Sequence, residues 1–144
     1  AECRKTREEG CLAFPSAIYD SYFALFPTAP RSYELRFFHA ELLYELKDYA
    51  HARLGQLNWL KIHGTAKDKG AIVSFSIDGL HPHDISTYID RLGVAVRAGH
   101  HCAQPLMGRL GVTATCRASL AMYNTKAEVD ALADALVKAR EFFS

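Results

Sequence analysis

Residues 71–77, Ala71-Ile72-Val73-Ser74-Phe75-Ser76-Ile77, alternate apolar with small polar side chains. In a strand, successive side chains point to opposite faces. Val73, Phe75 and Ile77 therefore share one face, and Ser74 and Ser76 share the other. Upstream, Lys67-Asp68-Lys69-Gly70 has the chemistry of a turn. Before it, residues 60–63 read as a short strand. Leu35, Phe38, Leu42, Leu46, Tyr49 and Leu57 recur at helical spacing, so residues 33–57 read as a long amphipathic helix. Trp59 is expected to close the core after that helix.

Downstream, residues 84–92 read as a second helix with the stripe Ile85, Tyr88, Ile89 and Leu92, stopped by Gly93. Residues 94–96 suggest a short buried strand, and residues 97–105 a loop. Residues 105–110 suit one helical turn, with Pro tolerated at its start. Residues 117–121 read as another strand. Thr125 and Glu128 then form a capping box that opens a helix with the stripe Val129, Leu132, Leu136, Ala139 and Phe143. The order is helix, two strands, helix, two strands, helix. It fits an α/β (α+β) fold: a mixed or antiparallel sheet of three to four strands, with helices on one face. If the strands flanking the second helix are parallel, their link is a right-handed crossover.

Residues 1–33 stand apart. They are rich in aromatics, broken by Pro15, Pro27 and Pro30, and lack a sustained period, with room for a short helix over 17–25. The whole 144-residue chain has the size of one ordinary domain. Its 17 Lys and Arg nearly balance its 16 Asp and Glu, so no broad basic field attracts nucleic acid. No apolar run approaches a membrane span, and the charged start is unlike a signal peptide. The four cysteines, Cys3, Cys11, Cys102 and Cys116, contain no CxxC pair. The expectation is reduced thiols in a cytoplasmic protein.

Three stretches offer chemistry. The first is Arg97-Ala98-Gly99-His100-His101-Cys102-Ala103-Gln104-Pro105-Leu106-Met107. A nucleophilic thiol must be a thiolate, and a free Cys has a pKa of about 8.5. Arg97, His100 and His101 are near enough in sequence to lower it, and Gly99 lets the backbone bend. Residue types alone also describe a structural Cys beside two surface His, and they favour that reading. The second is Cys116-Arg117-Ala118-Ser119. An Arg among small residues on a strand needs a partner. That partner is either a structural acid or a substrate carboxylate gripped by two parallel hydrogen bonds. Cys116 itself suits a small core residue. The third is His81-Pro82-His83-Asp84, which has metal-ligand types but reads better as the start of a helix, so no metal is expected.

Together these pieces resemble the cysteine desulfurases of the SUF type, the group that includes selenocysteine lyase-like enzymes. Gly64-Thr65-Ala66, the strand at 71–75, His81-Pro82-His83-Asp84-Ile85, the 97–107 stretch, Cys116-Arg117-Ala118-Ser119 and Tyr123-Asn124-Thr125 carry the resemblance, which runs from about residue 41 to 143. It implies the small C-terminal domain of an aspartate aminotransferase-like fold, over residues 34–144, with 1–33 unmatched. It implies that sulfur leaves L-cysteine, giving L-alanine, and is held as a persulfide on Cys102. Arg117 would match the substrate-carboxylate Arg, and Arg97 an Arg at the site's mouth, with Gly99, His100 and His101 supporting the loop. Homodimers, a sulfur-acceptor protein and iron–sulfur cluster assembly are also implied. The family's pyridoxal phosphate is held by a Lys in a Ser-x-His-Lys type motif, which is absent from these residues. No cofactor-binding residue is therefore expected here. Carbon–sulfur cleavage needs that cofactor as an electron sink, so the chain by itself is expected to be inactive. A split desulfurase, a stand-alone persulfide carrier and a regulatory module for a full-length desulfurase all remain compatible with the resemblance.

Overall fold

The computed structural model describes residue 24 and residues 32–144 except 65, 67, 68 and 122; for 32–39 and 41 it describes backbone alone. The short helix expected over 17–25 thus lies outside the described residues apart from Ala24, as do Cys3, Cys11 and part of the expected 67–70 turn. The elements are α1 (Ser32–Gly55), β1 (Leu60–His63), β2 (Ile72–Ile77), α2 (Pro82–Asp90), β3 (Arg97–Gly99), α3 (Gln104–Leu110), β4 (Thr115–Ser119) and α4 (Lys126–Phe143).

The four strands form one sheet in the order β1-β2-β4-β3, and every neighbouring pair is antiparallel. It follows that β2 and β3 run the same way with β4 between them, so α2 crosses over a strand that arrives later in the chain. The register stacks Ile62 beside Phe75 beside Cys116, and Val73 beside Ala118. These side chains face the helices. They join Leu46, Ala50 and Leu54 of α1, Ile85 and Ile89 of α2, and Val129, Leu132 and Leu136 of α4 in one core. Trp59 packs against that core, with the Arg140 guanidinium 4.9 Å from its ring centre.

Several expectations shift. The strand expected at 94–96 lies instead at Arg97–Gly99, inside the expected loop. The Val94 N–H donates to Ile89 O (3.1 Å), which ties this segment to the end of α2 and away from the ladder. The last strand begins at Thr115 rather than Arg117, and α2 stops at Asp90. Leu92 is exposed, as is Phe143, which packs edge-on against Tyr88 and Phe142 rather than into the core.

The capping box at α4 is present as expected. The Glu128 N–H donates to Thr125 Oγ1 (3.3 Å), and the Thr125 N–H donates to Glu128 Oε2 (2.7 Å). Thr125→Ala removes the side-chain acceptor and should cost about 1 kcal/mol, read as a lower urea midpoint at unchanged slope. An unchanged midpoint would show that water replaces the cap without loss.

Candidate functional site

The sheet face turned away from the helices carries one cross-strand row. His63 lies opposite Ser74, Ser74 opposite Arg117, and Arg117 opposite Arg97. Two guanidinium groups directly opposite on neighbouring strands repel, an arrangement that an arriving anion relieves. Arg117 Nε is buried and has no hydrogen-bond partner, and among the described residues no carboxylate pairs with Arg117. An unmet buried donor costs about 1–3 kcal/mol. The structural acid weighed for Arg117 is thus absent from the described residues, and the donor stays available for a carboxylate.

β3 feeds directly into the turn that carries the thiol. Gly99 has φ 135°, a value that strains any side-chain-bearing residue. The Ala103 N–H then donates to His100 O (2.9 Å), closing a turn around His101 and Cys102. Both have positive φ, 54° and 59°, as a type I′ turn requires of its central residues. That conformation favours Gly and Asn, so His and Cys sit there at a cost. Cys102 is exposed. Arg97, Gly99, His100, His101 and Cys102 all line an open cleft of about 520 Å³. The structure therefore brings together five of the six residues singled out from the sequence, and Arg117 lies beside the cleft as the cross-strand partner of Arg97.

His101 Nε2 lies 3.1 Å from Thr115 O and 3.0 Å from Thr115 Oγ1. Burial holds the ring's pKa below the usual imidazole value; the Thr115 bond opposes this, and the charges of Arg117, Arg97 and His100 add to it. Cys116 behaves differently from Cys102. It is buried opposite Phe75, donates to Pro82 O (3.4 Å), and burial pushes its thiol up to about 12. His81 caps α2, its Nδ1 accepting from the His83 N–H (3.3 Å). Among the described residues no group of His, Cys, Asp and Glu is arranged to hold a metal.

Two residues escaped the sequence reading. Thr115 is buried beneath His101, and His63 is buried with Nε2 2.8 Å from Ser76 Oγ. Strand alternation back from Arg117 puts Thr115 on the same face, so a strand begun two residues earlier would have found it. Burial, then Lys61, lowers the His63 pKa. Burial also lowers that of His51, helped by Lys69 and Lys47 against Asp48. Between these lowered folded values and 6.5, the unfolded chain binds more protons, so stability rises with pH. The urea midpoint should fall as pH drops below 6.5; a midpoint that climbs on acidification would contradict the neutral rings.

A family model described as aminotransferase class-V matches residues 38–132. The chain belongs to the class-V aminotransferase family. It is 52% identical over 101 residues to a probable cysteine desulfurase of Staphylococcus epidermidis, covering 69% of this chain and 24% of that protein. It is 53% identical over 100 residues to one of Halalkalibacterium halodurans, again covering 69% and 24%. Among solved structures, the cysteine desulfurase CsdA of Escherichia coli superposes with TM-score 0.70 at 31% identity, over 84% of this chain and 29% of that one. The apo cysteine desulfurase of Thermococcus onnurineus gives TM-score 0.64 at 34% identity, over 68% and 25%. The chain thus spans about a quarter of the length of the curated relatives it matches. The expected aminotransferase-like fold is borne out by these neighbours.

The cysteine desulfurases among these relatives depend on pyridoxal phosphate. The residues lining the cleft include Arg97 but no lysine that could bond the cofactor's carbonyl. Together with Arg117 beside it, they suit a substrate carboxylate and supply no lysine for a Schiff base with the cofactor.

Proposed function

We propose that these residues form the sulfur-accepting side of a cysteine desulfurase site. Arg117 and Arg97 hold the carboxylate of L-cysteine, and Cys102 receives its sulfur. A sulfur–sulfur bond forms at Cys102 as the substrate's carbon–sulfur bond breaks. The carbon keeps the electron pair and takes up a proton, giving L-alanine and a persulfide on Cys102. The observation that carries this reading is an exposed thiol on a positive-φ turn, in a cleft beside a buried guanidinium donor with no partner. Anchoring by Arg is expected because a guanidinium matches a carboxylate with two parallel bonds. Support for the chemistry comes from the desulfurases that the chain resembles.

On this reading residues 34–144 are a desulfurase-like C-terminal domain, and 1–33 lie outside it. Pyridoxal phosphate is bound by residues other than these 144, and the working unit is a homodimer that also holds those residues or a complex with a full-length desulfurase. The persulfide passes to an acceptor protein for iron–sulfur cluster assembly in the cytoplasm. No helix of the described residues is long and apolar enough to cross a membrane.

The test is a chimera in which residues 41–143 replace the matching C-terminal part of the Staphylococcus epidermidis relative. The chimera is expected to release alanine from L-cysteine and to carry a persulfide at Cys102, whereas the 144 residues alone with pyridoxal phosphate release no sulfide. A folded chimera that binds the cofactor but never turns over would overturn the reading. Sulfur on Cys102 without turnover would point instead to a carrier.

A further inference from the structure

We infer that His101 is a positioning residue: its Nε2–H pegs the strained His101–Cys102 turn to β4 through Thr115. The inference rests on the reading of Cys102 as the sulfur acceptor, since its subject is how that thiol is held out.

The cost at the turn comes first. A left-handed φ crowds the Cβ of any L-residue against its own backbone, and two such residues in succession double the penalty. Only one backbone bond, from the Ala103 N–H to His100 O, closes the turn on itself. An exposed turn of this type in which neither central residue is Gly needs a second hold. The neighbouring strand supplies it. Gly99 is paired with Thr115 in the β3–β4 ladder, so the chain leaves the sheet directly beside Thr115. Two residues later the His101 ring returns to that same residue. Thr115 is itself buried at 1% exposure, a fixed post rather than a mobile surface group.

The two contacts of Nε2 also settle which nitrogen carries the proton. A carbonyl oxygen can only accept, so the 3.1 Å contact to Thr115 O requires a hydrogen on Nε2. The hydroxyl at 3.0 Å then accepts a share of the same N–H, and its own hydrogen turns elsewhere. Were the hydrogen on Nδ1, Nε2 would face the carbonyl lone pair against lone pair. The Nε2–H tautomer leaves Nδ1 as the acceptor. That atom is buried without a partner, which costs some stability and is compatible with a neutral ring whose hydrogen lies on Nε2. Burial lowers the ring's pKa, the Thr115 bond opposes this and the charges of Arg117, Arg97 and His100 add to it, which favours the neutral ring that this tautomer requires.

The full chain labelled with nitrogen-15 gives a direct test by NMR. His101 should show the Nε2–H tautomer at neutral pH. A Gln side chain places an amide N–H where Nε2–H sits, whereas Phe keeps the ring and loses the donor. His101→Gln should leave the exchange rate of the Ala103 amide near that of the parent. His101→Phe should raise it by up to about tenfold, the effect of one lost hydrogen bond. An Nδ1–H tautomer in the parent, or equal Ala103 exchange in the Gln and Phe variants, would overturn the peg. The parent spectrum decides the tautomer even if a variant fails to fold. Neither readout involves sulfur, so failure here and failure of the desulfurase reading are told apart.

Discussion

Changing Cys102 to Ser is expected to abolish sulfur acceptance while leaving the sheet intact. The hydroxyl is not ionised at neutral pH and cannot form a persulfide, so the acceptor atom is lost outright. Cys102 is exposed on its turn, and a near-isosteric change at such a position alters stability by no more than about 0.5 kcal/mol. Cys116 cannot take over. It is fully buried, its thiol is pushed up to about 12, and it donates into the Pro82 carbonyl on the helix side of the sheet. In the chimera, Cys102→Ser should lower alanine release with a sulfur acceptor present by at least about a thousandfold, the scale on which losing a nucleophile acts. Mass spectrometry should find no persulfide at position 102. Persulfide still forming within the grafted residues 41–143 of the variant would remove Cys102 from the mechanism.

Phe75→Ala should bring the largest loss of stability. Phe75 has no exposed surface and sits at the centre of β2, between Ile62 of β1 and Cys116 of β4. Truncating it forfeits the transfer of the ring from water and leaves a void beneath the helices. Phe-to-Ala changes in cores cost about 3–5 kcal/mol. A domain of this size is stable by only about 5–15 kcal/mol, so a large share of its folded population is at stake. The measurement is the urea midpoint against that of Ile72→Ala, on the same strand but 43% exposed, which should shift little. A Phe75→Ala midpoint equal to that of the control would contradict the assigned core.

Much of this was legible in the sequence where periodicity and caps spoke together. Residues 60–63 and the Val73, Phe75, Ile77 face lie where alternation puts them, and Thr125 with Glu128 marked the start of α4. Short apolar runs misled. Val94 and Val96 look like a strand, yet the segment is tied back to α2, and the ladder begins at Arg97, whose charge hid it. Phe143 matched the helical period but falls where α4 ends, beyond the core's reach. At the site, the sequence marked the turn because its residues are contiguous. It could not disclose that Arg117 faces Arg97 or that His101 reaches Thr115, since strand pairing joins positions that are distant in the chain.

The strand order has a kinetic consequence. Among the described residues β3 is an edge strand whose one ladder partner is β4, and β4 is also the sole link from β3 to β2. A chain emerging in sequence order therefore makes the Arg97–Gly99 segment before anything exists for it to pair with. The thiol-bearing bend acquires its native shape only after residues 115–119 slot into the middle of the sheet. The reactive bend thus waits on a strand made after it, and until then Cys102 stands without the Arg117 guanidinium that the later strand brings.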